Sequence, residues 1–370
     1  MKSPSLLPLF FFISVLSFLT YGQEVSLKTI LPSSIQETSG LIKIDGKLIT
    51  HNDSGSKPEL YEFDDITGAV TRIVTVRNAT NIDWEDLAND DNYIYIGDFG
   101  NNFGNRRDLK VYRISITDYL GTTDDTVEAE EIKFKYSEQT DFSSNAYATN
   151  FDAEALIAYK DALYLFTKNW VNSQTNIYAL SKSPGTYEIS SIGSINAQGF
   201  VTGADYNQIS NTVILTGYAP NVNFIIEIRD FNFNATNFSN GNIRRYTITP
   251  PNNTSTQIES ILSISEEEYY LTSESYQSKS PALIKLNSKT LSINDPIKKR
   301  FILGPNPSED MITIQGYNFL RTKIYDLKGQ FCKEVTGKEI YIGDLNKGTY
   351  LFYIKEVKSD KYVIEKIIKN

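Results

Sequence analysis

The stretch Asp83-Trp84-Glu85-Asp86-Leu87-Ala88, followed by Tyr93-Ile94-Tyr95-Ile96 and Gly97-Asp98-Phe99-Gly100, decides how this chain is read. An acidic residue opens an apolar run, a polar break follows, and a second run is wholly apolar and aromatic. Short runs of this kind bounded by turn residues predict two neighbouring antiparallel strands. The unit recurs on both sides. Its openers are Glu37-Thr-Ser-Gly-Leu41, Glu85-Asp-Leu-Ala88, Glu154-Ala-Leu-Ile157, Asp205 after Val201-Thr-Gly-Ala204, and Glu259-Ser-Ile-Leu262. The second runs are Lys47–Thr50, Tyr93–Ile96, Ala162–Phe166, Thr212–Leu215 and Glu268–Leu271. A third follows each polar loop, at Glu59–Phe63, Leu109–Tyr112, Asn176–Leu180, Phe224–Ile228 and Ala282–Leu286. A fourth is clearest in Val70–Val76 and Glu131–Lys135.

Four short strands per unit, repeating about every 50 residues, is the period of a β-propeller blade. The fold class is therefore all-β: a five-bladed β-propeller over residues 23–300, with a sixth, poorly patterned blade as the alternative. The last unit shows three strands before Lys298-Lys-Arg300. Val25–Ile30 is expected to supply the fourth, closing the ring and covering an exposed sheet edge.

Composition narrows the chemistry. The 370 residues are 40% hydrophobic and 22% charged, the balance of a globular chain. One Cys excludes an internal disulfide or a paired-cysteine zinc site, and one His excludes a histidine metal cage. A net charge of −9 argues against nucleic acid or an anionic membrane as partner. Lys2, the uncharged run Leu6–Leu19 and Thr20-Tyr-Gly22 read as a secretory signal over residues 1–22. That run of about 14 residues falls short of the ~20 a membrane span needs, and no other stretch is expected to cross a bilayer.

In a blade, the start of the first strand and the end of the second lie at the same end of the sheet. Glu37, Glu85, Glu154, Asp205 and Glu259 should therefore ring one mouth of the central channel. The loops between second and third strands would join them, bringing His51-Asn52-Asp53, Asp98, Asn101, Arg106-Arg107, Lys168-Asn169-Trp170, Tyr218 and Glu274-Ser-Tyr276. Five carboxylates in a ring repel one another unless something offsets them. A hard divalent cation would, and Ca²⁺ suits oxygen ligands where Zn²⁺ prefers the His and Cys that are nearly missing. The five acidic residues are the candidate metal ligands; the equal alternative is a solvated channel. Candidate ligand-binding residues are Asn52, Asn101, Arg106, Lys168, Trp170, Tyr218 and Tyr276. His51, Asp53 and Asp98 are the candidate catalytic groups. No GxSxG, P-loop or HExxH is present, so catalysis here would rest on water activated by a metal.

The last 70 residues are different. Their 11 Lys and Arg against 9 Asp and Glu contrast with 24 against 36 over residues 23–300. Short apolar runs punctuated at Lys328-Gly329 and Asn346-Lys-Gly348 predict a small Ig-like antiparallel β-sandwich over 301–370, with Cys332 as a small packing residue. Four motifs lie in order: Gly304-Pro-Asn-Pro-Ser308, Ile324-Tyr-Asp-Leu-Lys-Gly-Gln330, Asp344-Leu-Asn-Lys-Gly-Thr-Tyr350 and Lys366-Ile-Ile-Lys369. Together they resemble the C-terminal sorting domain of the Bacteroidetes type IX secretion system. The resemblance implies a partner in that secretion machinery, periplasmic transit, and an end-point outside the cell or on its outer surface.

Glu37-Thr-Ser-Gly-Leu41, Asp83-Trp-Glu85-Asp86 and Asp152-Ala-Glu154-Ala155 are also similar to signatures of the SdiA-regulated and phytase-like esterase propellers. Some of those relatives hold calcium near the channel and cleave phosphoesters, and gluconolactonase-type propellers use one divalent ion held by Glu, Asn and Asp. This chain departs from phytases in lacking their dense calcium-cluster motif. Two functions stay open. One is a cation-dependent hydrolase of phosphoester or ester substrates. The other is a non-catalytic surface recognition or adhesion module.

Overall fold

The computed structural model of the chain describes residues 24–288 and 302–370, apart from Asn221, Ala235, Thr236, Asn240, Asn253, Ser255, Thr256, 316–319, 327–329 and 357–362. The expected signal over 1–22, the Lys298-Lys-Arg300 run and the Lys328-Gly329 turn lie outside these residues. Contacts divide the chain into a unit of Gly22–Ser288 and a second unit containing Lys289–Asn370. Among the described residues no helix is long and apolar enough to cross a membrane.

The larger unit is a β-propeller in which, among the described residues, five sheets of four or five strands follow one another along the chain, beside a two-stranded ribbon of Asn232–Asn234 and Asn237–Ser239. Each begins with an inner strand: Thr38–Ile44, Trp84–Asn89, Ala153–Tyr159, Phe200–Asn207 and Ile258–Ser263. Each inner strand lies against the next, and the fifth returns to the first, so the ring is closed. From each, the chain meanders outward through antiparallel strands at the positions the repeat predicts. Glu24–Ile30 pairs antiparallel with Ala282–Asn287, matching Val25 to Leu286 and Leu27 to Ile284. The first strand of the chain thus completes the last sheet, as the sequence predicts. After the second sheet's third strand comes a short helix, Ile116–Gly121, capped by Ser115. Thr126–Val127 then adds in parallel to the outer strand of the first sheet, Val70–Val76.

The core lies between neighbouring sheets, because the inner strands and those next to them are buried on both faces, while the outermost strands are largely exposed. Trp84 is fully buried with Leu60, Val76, Ile96 and Tyr112 between the first two sheets. Phe166, Val201, Leu215 and Phe224 fill the space between the third and fourth. Burial of an aromatic or branched side chain contributes roughly 1.5–3 kcal/mol, so stability here comes from the interfaces between sheets.

The smaller unit contains two sheets, one of Ile302–Gly304, Met311–Gln315 and Glu339–Tyr341, the other of Leu320–Asp326, Phe331–Thr336, Gly348–Glu356 and Val363–Lys369. Ile312, Ile314, Ile324, Ile340, Phe352, Ile354 and Ile367 form their core, with Cys332 partly buried against it. Its sequence motifs close on themselves. Asn306 donates to the Lys366 carbonyl at 2.9 Å and accepts from the Ile368 amide at 2.9 Å. The Ser308 amide donates to the Ile368 carbonyl, also at 2.9 Å. Asp326 accepts from the Gln330 amide at 2.8 Å, Tyr350 donates to the Asn346 carbonyl at 2.8 Å, and Lys333 pairs with Asp344.

Candidate functional site

Every inner strand carries a β-bulge near its start: between Ser39 and Ile42, Trp84 and Leu87, Ala153 and Ala155, Val201 and Gly203, and Ile258 and Ser260. A bulge adds a residue, turns the strand and re-aims the side chain there. Glu85, Glu154 and Glu259 each directly follow the last paired residue before the bulge, as Thr202 does in the fourth sheet; aligning Thr38, paired with Asn52, with Trp84, paired with Asp98, puts Ser39 at that position in the first. Two residues earlier stand Glu37, Asp83, Asp152, Phe200 and Gln257. This corrects the expected equivalence in two places. Glu37 stands two residues earlier than the position of the three glutamates, level with Asp83 and Asp152. Asp205 stands three positions later, because its strand begins at Phe200 and enters the mouth through Thr202. Asp205 accepts from the Ser263 amide at 2.7 Å and lines a cavity of about 220 Å³ bounded by all five inner strands, with Lys43 and Asn89.

The acidic mouth is therefore richer than the sequence suggests in some sheets and poorer in another. Oxygens of Asp53, Asp83 and Glu85 come within 4.8 Å of one another, and so do oxygens of Glu85, Asp152 and Glu154. Glu85 belongs to both sets. A Cβ on Gly100 would collide with the Glu85 and Asp83 carboxylates, so only glycine lets the loop pass beneath them. Burial raises Glu85 well above the usual carboxylate range, and the charges of Glu154, Asp53, Asp83 and Asp152 push it the same way. Burial raises Glu154 and Glu259 likewise, with Lys168 opposing in both. Burial and the neighbouring Asp83 lift Asp53 to about 7. Burial and Asp152 lift Asp83 to about 6. Burial lifts Glu274 to about 7, with Glu37 adding to the rise.

One buried ammonium counters this charge. Lys168 Nζ pairs with Glu154 at 3.1 Å and lies over the rings of Trp170 and Tyr218. Burial alone would lower it, but Glu154, Tyr218, Glu259 and Asp152 hold it protonated, well above the usual lysine value. Trp170 donates its indole N–H to Asp152 at 2.7 Å. It packs between Tyr147 and Phe200, with ring centroids 4.6 and 4.7 Å away, and Phe200 touches Tyr218. Four rings thus form a shelf beside the acids. Burial pushes the Tyr218 phenol up to about 12.

Other predicted residues hold the site together. Arg106 binds Asp98 at 2.9 Å, the Gly100 carbonyl at 2.9 Å and Asp108 at 3.1 Å. Asn101 accepts from the Arg106 amide and donates to the Phe151 carbonyl, and its own amide donates to Asp152. Asn52 likewise binds the Glu37 amide and the Ser34 carbonyl. Arg107 stacks over Phe142, 3.6 Å from its centroid. Tyr276 is half exposed in a small turn closed by Lys279. His51 is fully buried with its ring edge on Trp84 and Nδ1 on the Asn52 carbonyl at 2.9 Å. Burial pulls it down to about 4, so it is neutral and enclosed by packing, an environment ill suited to a general base.

Asp83 and Asp152 are not among the expected ligands, although each sits two residues before a glutamate, Glu85 or Glu154, in a shared Asp-x-Glu spacing. Asp86 was also missed. It is fully buried and accepts from the Leu87, Leu156 and Ala204 amides at 2.8, 2.8 and 3.2 Å, tying three inner strands together.

The ring of sheets around a channel with a polar mouth defines the larger unit as a β-propeller protein. Residues 303–370 match the family model described as the secretion system C-terminal sorting domain. The tail is a type IX sorting domain, and it directs the protein to the cell surface or beyond. No curated protein sequence matches the chain. Among solved structures, an exo-β-1,3-galactanase from Phanerochaete chrysosporium is similar at 11% identity and TM-score 0.44, with 94% of this chain and 100% of that one covered. A calcium-free glycoside hydrolase family 43 β-xylosidase/α-arabinofuranosidase from a compost metagenome, in complex with xylotriose, is similar at 12% identity and TM-score 0.41, covering 72% and 95%. A quinonprotein alcohol dehydrogenase-like protein from Bacteroides thetaiotaomicron follows at 10% and 0.31, covering 90% and 67%. Identities and TM-scores this low say nothing about activity.

Proposed function

We propose that this is an exported five-bladed β-propeller over residues 23–300, behind a signal peptide of residues 1–22 and ahead of a sorting domain from 301. Its acidic mouth binds a divalent cation, Ca²⁺ in preference to Zn²⁺, and with it a small or polymeric ligand. One observation carries the reading: two sets of three carboxylates with converging oxygens share Glu85, and they lie beside the buried ammonium of Lys168. Hard oxygen donors alone fit a Ca²⁺-type ion. When bound, such an ion supplies Lewis-acid polarisation of a ligand oxygen or a water. Asp53 and Glu274, poised at about 7, accept a proton near neutral pH, which suits hydrolysis of an ester or phosphoester. Lys168 offers fixed positive charge to an anionic group on the ligand.

The second reading is a non-catalytic recognition module, favoured by the shelf of Tyr147, Trp170, Phe200 and Tyr218, which stacks on a ligand without reacting with it. Melting in millimolar Ca²⁺ and in chelator tests what both readings share. A cation at about 100 times its dissociation constant stabilises by about 2.7 kcal/mol. The pair Glu85→Gln and Glu154→Gln should abolish the shift; identical melting of the parent in both buffers would sink the proposal. Calcium-dependent turnover of nitrophenyl esters or phosphates then separates hydrolase from recognition module.

A further inference from the structure

A second cavity lies apart from the acidic cluster, between the second and third sheets. Its volume is about 470 Å³, within the range of small-ligand sites. Its wall is built from the connection Glu138–Phe151, which has no regular secondary structure, together with Phe103, Val171, Asn176 and Tyr178. Phe103 is 54% exposed and Val171 65% exposed at the rim. Deeper in, Phe151 and Tyr178 pack against Tyr136, whose buried hydroxyl has no hydrogen-bond partner.

The polar lining is specific in character. Eight neutral side chains bearing hydroxyl or amide groups contribute, Asn145, Asn150 and Asn176 among them, against two carboxylates, Glu138 and Asp141. No Lys, Arg or His lines the cavity. An anionic ligand would meet only like charge there. A small organic cation would meet two solvent-facing carboxylates, whose attraction water and salt screen. A neutral sugar fits both parts of the wall. Its C–H faces rest on the aromatic rings, and its many O–H donors meet amide, hydroxyl and carboxylate acceptors.

We propose that the cavity between Phe103, Phe151, Val171 and Tyr178 is a binding site for a neutral oligosaccharide. The acidic mouth plays no part in it, so the two proposals fail independently. The test is calorimetric titration of the purified protein with cellotriose, maltotriose, laminaritriose and xylotriose, alongside trigalacturonate and spermidine, each to about 10 mM. At least one neutral trisaccharide should bind saturably. Phe103→Ala, at an exposed rim position, should weaken it about tenfold. Thr140→Trp should block it by filling the cavity. Glu85→Gln should leave it unchanged. Binding of none of the neutral sugars overturns the proposal, as does binding only of the anion or the amine, or binding that Phe103→Ala leaves unaltered.

Discussion

The tail and the propeller mouth are both rich in Asp, Asn, Lys and Gly, yet they use them in opposite ways. In the tail the polar residues satisfy one another over turns and between neighbouring strands: Asn306 with 366 and 368, Asp326 with Gln330, Lys333 with Asp344. In the mouth, acids from four sheets converge, met by Lys168, Arg106 and Lys110. Polar side chains that close on themselves serve shape and address. Carboxylates held together without enough countercharge store repulsion that protons or a metal must relieve. The difference separates a module recognised by its surface from a site that takes something in.

Three experiments sharpen or break that contrast. The largest effect is expected from removing residues 303–370: the protein should stay inside the cell envelope, and fractionation with immunoblotting would show it. Because the tail closes on itself, fusing the same residues to an unrelated globular protein carrying a signal peptide should export that passenger. Normal arrival of the truncated protein outside would refute the address.

Next in size is Lys168→Met. It removes the buried partner of Glu154 and leaves acids from four sheets uncompensated, which should cost about 3–5 kcal/mol in chelator. Part of the loss should return in millimolar Ca²⁺, as denaturant titration in the two buffers would measure. A Lys168→Met protein as stable as its parent in chelator would mean the mouth stores no repulsion.

The smallest effect is expected from pH. Asp53 and Glu274 at about 7 and Asp83 at about 6 sit above their unfolded values near 4. Between pH 4 and 7 the folded protein therefore holds more protons than the unfolded one. Stability from these groups is present in acid and is lost as pH rises through 6 to 7. In chelator the melting temperature should fall over that window; in Ca²⁺ the fall should flatten, since the cation replaces the protons. Parallel pH profiles with and without Ca²⁺ would contradict a shared site for protons and metal.

Much of this molecule is legible in one dimension because its strands pair with near neighbours in the chain. The continuous apolar runs in Tyr93–Ile96 and Thr212–Leu215 record burial on both faces, and the tail's Gly-Pro-Asn-Pro and Asp-Leu-Asn-Lys-Gly motifs record turns that need those residues locally. The closing role of Val25–Ile30 was also legible, since a last blade lacking a strand and an unclaimed strand at the start imply each other. What the sequence left open is which residues meet across sheets. Bulges shift each inner strand's register by one, so an acid two residues away in the chain can lie at the mouth or deep in the channel. That is why Asp205 and Asp86 were misplaced or missed while Asp83 and Asp152 proved central. Burial of His51 behind Trp84, and of Lys168 among Glu154, Trp170 and Tyr218, depends on side chains supplied by separate parts of the chain. Composition and periodicity determined the strands, the repeat and the sorting address, because these rest on local hydrogen bonding and on the alternation of buried faces. Only the closed ring decided which carboxylates crowd together and which cation answers them, because charge interaction depends on distance in space and the chain reaches those distances only when five sheets are packed around one axis.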